Sequence, residues 1–75
     1  MSLIMLILEI IANIPTIFQI IKEIMDLIHQ LKGQEKTAAQ KDLADILKRH
    51  LKSHDAAAAQ KELVDFRQNL ANKYQ

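Results

Sequence analysis

Nine apolar residues, Leu3, Ile7, Ile10, Ile14, Ile17, Ile21, Ile24, Ile28 and Leu31, follow one another at alternating steps of four and three. This heptad series repeats every 3.5 residues, the period of a helix that buries one face along its length. With Ile7, Ile14, Ile21 and Ile28 at position a, the others fall at d. The flanks are apolar as well: Ile4, Ile11, Phe18 and Met25 at e, and Leu6, Ile20 and Leu27 at g. Polar residues concentrate at c and f, in a stripe containing Glu9, Thr16, Gln19 and Glu23. A two-stranded zipper buries a and d and places charges at e and g. Four apolar positions in seven call for enclosure on most sides, and Ile at both a and d favours more than two strands.

Pro15 interrupts the series. It cannot donate a bond to the carbonyl of Ile11, and its ring crowds that group. Either one long helix kinks near Ile11, or Asn13 caps a new helix with Pro15 in its first turn. The apolar phase is continuous across Pro15, which favours the kinked single helix. Such a helix over residues 3–32 would be about 45 Å long at 1.5 Å per residue. Lys32 followed by Gly33 marks its end, because Gly accepts the left-handed conformation found after a helix.

Beyond Gly33 the chemistry changes. Ten of the eleven Ile lie between Ile4 and Ile28, whereas seven of the nine Ala lie between Ala38 and Ala59. Residues 1–32 carry two cations against three anions, and residues 33–75 eight against six. The chain therefore divides into an assembly helix, 1–32, and an amphipathic hairpin, 33–75. The hairpin follows from an internal repeat: Ala38-Ala39-Gln40-Lys41-Asp42-Leu43 is echoed by Ala58-Ala59-Gln60-Lys61-Glu62-Leu63, twenty residues on. In one continuous helix that offset turns the two copies about 200° apart. A turn between them lets Leu43 and Leu63 face one core, giving helices near 35–52 and 55–73, with Ser53 and Asp55 as caps.

Chemistry-bearing constellations are sparse. There is no Cys, hence no disulfide, thiolate metal site or cysteine nucleophile. Ser2 and Ser53 are the only serines, and each reads as a terminal or capping residue. His50 and His54 have the i,i+4 spacing of a zinc-binding pair, but Arg49, Lys52 and the absence of a third ligand point instead to a solvated pair at a helix end. No enzymatic activity, metal or cofactor is expected. Lys48, Arg49 and Lys52 form the densest basic cluster and a possible contact for an anionic surface. No aromatic residue is interleaved with them, and the net charge of +1 argues against a nucleic-acid partner.

Residues 3–21 form an apolar stretch about long enough to span a bilayer. Twelve Leu, Ile and Phe favour insertion, by roughly 0.5 kcal/mol each, against a cost of about 3 kcal/mol for Glu9. In general character residues 3–32 resemble small holins and membrane-active peptides of phage and bacteria. In an oligomer Glu9, Thr16, Gln19 and Glu23 lie on one side, where they would line a wet lumen; in the other reading this stripe faces water while the later helices cover the rest. The segment lacks the basic leader and small-residue cleavage site of a secretion signal, so an intracellular or membrane-associated protein is expected.

The sequence thus predicts an all-α protein of three to four helices that assembles into a homo-oligomeric bundle or tube. Ile10, Ile14, Ile17, Ile21, Ile24, Ile28 and Leu31 are its expected seam. Pore formation in a membrane is the alternative, and a monomeric adaptor that holds a partner helix in a groove is a third reading.

Overall fold

Four helices account for most of the chain in the computed structural model, which describes residues 2–74: α1 (Leu3–Asn13), α2 (Phe18–His29), α3 (Gly33–Ser53) and α4 (Ala56–Tyr74). The described residues contain no strand. Ser2 opens α1, its hydroxyl accepting a bond from the Met5 amide at 3.2 Å.

The Ile-rich half is broken, not kinked. The residue before a proline is pushed out of the helical region by the proline ring, and Ile14 accordingly sits at φ −135°, ψ 77°. Pro15–Ile17 then form a single 3-10 turn that leads into α2. Asn13 is the last residue of α1 and does not cap the next element; the 3-10 turn has no side-chain cap. The apolar phase misled because both pieces face the same core, so the 4-3 spacing survives a bend in the chain. A 45 Å helix is accordingly absent, and the molecule measures 31 × 24 × 17 Å.

The break lets each piece find its own support. α1 packs on α3, α2 packs on α4, and α3 and α4 pack on each other. Gly33 takes the expected left-handed conformation, φ +61°, at the α2–α3 junction. The second junction lacks a glycine. There His54 itself adopts the left-handed conformation, φ 56°, and Asp55 caps α4 by accepting from the Ala58 amide at 3.0 Å. The observed bounds of α3 and α4 lie within two residues of those expected.

The core is aliphatic throughout. Leu6, Ile10, Ile17, Ile21, Ile24 and Ile28 meet Leu43, Leu47 and Leu63, all essentially inaccessible, and no buried residue of the described chain is polar. The total accessible surface is 4958 Å². A compact monomer of this mass exposes about 4,700 Å², so the single chain closes its own core.

Candidate functional site

Residues Leu3–Asn13 carry one charge, Glu9. A helix this apolar on all sides calls for neighbours on all sides, yet α1 has α3 and the core on one side only. At about 100° per residue, Ile4, Leu8, Ala12 and Met5 fall within an arc of roughly 100° centred near Leu8, opposite Leu6 and Ile10. Leu6 and Ile10 are buried, whereas Ile4 is 66%, Leu8 58% and Met5 51% exposed. Ile7 and Ile11 are half-buried on the flank of the arc, and Ala12 is exposed. Phe18, at the head of α2, is 54% exposed.

This face was legible only in part. Met5 falls at an f position, within the otherwise polar stripe of the heptad, and points outward. The signal for it is that the b and f positions of the first heptads, Leu8, Met5 and Ala12, are apolar where a supported helix would carry charge.

The residues of the expected seam are mostly buried within the single chain. Ile10, Ile14, Ile17, Ile21, Ile24 and Ile28 are at most 6% exposed within the single chain, and Leu31 is half-buried. These residues already have their contacts in the monomer, with α3 and α4 covering them. The polar stripe is divided among three elements: Glu9 is exposed on α1, Thr16 on the 3-10 turn and Gln19 on α2. Glu23 is turned to α4, where it accepts from the Arg67 guanidinium. Residues 3–21 are thus split between α1, the turn and the start of α2, and no described helix is long and apolar enough to cross a membrane.

The basic cluster is also divided. Arg49 Nη2 donates to Glu62 Oε2 at 2.6 Å, while His50 Nε2 lies 2.6 Å from Glu62 Oε1. Two consecutive residues of α3 therefore clamp one carboxylate of α4. Burial raises the Glu62 pKa, but hydrogen bonds from His50 and Arg49, together with their charges, outweigh it and hold the carboxyl below its ordinary value. The His50 side chain is 12% exposed, so it is not solvated as the sequence suggested. His54 is exposed in the turn. Among the described residues, no three His, Asp or Glu side chains converge as a metal site requires. Lys48 and Lys52 remain exposed, and no ion pair among the described residues engages them.

Between α3 and α4, an open cleft of about 210 Å³ is lined by Ala38, Ala39, Asp42, Phe66, Asn69, Leu70 and Lys73. The exposed α1 face gathers three of the four large apolar side chains that stand in water among the described residues. Compared with protein-family models, curated proteins and solved structures, the chain matches none.

Proposed function

We propose that this protein works by self-association, with the outer face of α1 as the contact between copies. The observation that carries the reading is the set of three large apolar side chains, Ile4, Met5 and Leu8, each more than half exposed on one arc of one helix. The long Ile series serves the fold of each protomer, and the residues that face outward beside it serve assembly.

A second copy suits this face better than a bilayer surface does. Interfacial membrane helices combine an apolar face with Lys or Arg on the polar side. Residues Leu3–Asn13 contain neither. Removing the exposed halves of Ile4, Met5 and Leu8 from water contributes about 1 kcal/mol per side chain. Two copies then gain roughly 6 kcal/mol, close to the 4–15 kcal/mol lost in association. Assembly should accordingly be concentration-dependent, with Ile11, Ala12 and Phe18 adding to it.

Light scattering across a concentration range tests this, using the wild type and Leu8→Asp, with and without mild detergent. The expected result is a wild-type mass that rises above 8.6 kDa and a Leu8→Asp chain that stays monomeric with an unchanged helical spectrum. A wild-type mass of one protomer at every concentration would reject the proposal. Sedimentation of the monomer with anionic vesicles would then favour the membrane reading.

A further inference from the structure

Resting on the self-association just proposed, we infer that two copies pair α1 against α1 in antiparallel fashion, about a two-fold axis at Leu8. The face is symmetric in sequence about that residue but asymmetric in size. Ile4 and Met5 precede Leu8 by four and three residues, and Ala12 and Ile11 follow it by the same steps. An antiparallel pair centred on Leu8 puts Ile4 and Met5 of one copy in the same layer as Ile11 and Ala12 of the second. The two end layers are then identical, and the helices stay evenly spaced.

A parallel pair behaves differently. It stacks Ile4 and Met5 of both copies at one end and Ile11 and Ala12 of both at the other. The first layer is bulky and the second thin, so the helices splay toward Pro15 and lose the dense contact that dispersion requires. Antiparallel pairing also sets helix ends of opposite dipole beside each other. Charge does not oppose it strongly, because Glu9 lies about 100° around the helix from Leu8, at the wet edge.

The extent of the face sets the strength. Eleven residues make a strip about 16 Å long and about 10 Å wide, well short of the roughly 800 Å² that each partner buries in a long-lived complex. The pair should therefore exchange readily and form detectably only as concentration rises.

The chain has no cysteine of its own, so engineered cysteines report the geometry under mild oxidation. In the antiparallel pair the two copies of residue 8 meet at the axis, whereas the two copies of residue 4 are separated by about 12 Å along the helix. That exceeds the span of a disulfide. Leu8→Cys should cross-link to a dimer, and Ile4→Cys alone about tenfold less, given the reach of the bond. Equimolar Ile4→Cys and Ile11→Cys chains should cross-link to each other. Efficient cross-linking of Ile4→Cys by itself would establish a parallel pair and overturn the inference. Absence of cross-linking in every variant, with an oligomer still seen by light scattering, would place the contact on another face. A monomer by both measurements would reject the self-association itself.

Discussion

His50 and Glu62 tie α3 to α4 through a 2.6 Å contact between Nε2 and Oε1, in an ionic cluster that bridges these two helices. Arg49 holds the other carboxylate oxygen. The internal repeat explains why the two helices must meet, since Leu43 and Leu63 need one core. The ion cluster orients them at the solvent end of that contact. His50 Nδ1 is buried without a hydrogen-bond partner, so the ring is fixed by a single bond.

This arrangement predicts acid sensitivity. The Glu62 carboxyl is held below its ordinary value of 4.5 in the folded chain. A carboxyl lowered on folding contributes stability above its ordinary value and loses that contribution as pH falls through the folded value. Thermal melting at constant ionic strength should thus show a midpoint that declines below about pH 4.5. Because Arg49 is well exposed, the contribution should be about 1 kcal/mol or less. Glu62→Gln should flatten this part of the profile, and an unchanged slope would show that other carboxyls govern it.

The turn between α3 and α4 carries a correctable strain. His54 occupies the left-handed region, φ 56°, where a side chain costs roughly 1–2 kcal/mol and glycine does not. His54→Gly should therefore stabilise the protein by about 1 kcal/mol, raising the midpoint by roughly 4–8 °C for a chain of this size. His54→Val should lower it. Equal midpoints for Gly and Val would mean that the turn relaxes freely.

Much of this architecture is readable from residue patterns. The repeat at Ala38 and Ala58 placed α3 and α4, Gly33 placed the turn before them, and Asp55 announced its cap. Periodicity failed where two helices share one core. The 4-3 series through Ile14 and Ile17 records which side chains are buried, but not whether the backbone stays straight while burying them. The α1 face was obscured for a related reason. Hydrophobicity marks Ile4 and Ile24 alike, and only packing separates the buried residue from the exposed one. The Glu62 clamp joins residues twelve and thirteen positions apart on two helices, a separation that carries no local signal.

Pro15 should prove to be a consequence of the fold as much as its cause. With α1 seated on α3 and α2 on α4, a continuous helix would strip at least one piece of its support. Pro15→Ala should accordingly retain the break at Ile14. The substitution frees the unfolded chain and should lower stability by about 0.4–1 kcal/mol. Ellipticity at 222 nm should stay at the wild-type value; an increase would mean that α1 and α2 had fused and that proline alone imposed the bend.

Paired aspartate substitutions separate the two roles of the Ile-rich half. Ile24 is fully buried, and Asp there places a carboxylate among aliphatic groups with no partner. The core variant Ile24→Asp should lose several kcal/mol, enough to unfold a chain whose total stability is of order 5–15 kcal/mol. Leu8 is 58% exposed, so Leu8→Asp should change folding by roughly 0.5 kcal/mol through helix propensity alone. Urea denaturation read beside light scattering distinguishes them. Ile24→Asp should be unfolded or strongly destabilised, while Leu8→Asp should unfold near the wild-type midpoint and remain monomeric. A folded, still-associating Leu8→Asp would remove the α1 face from the assembly, and a folded but monomeric Ile24→Asp would return the contact to the long isoleucine seam.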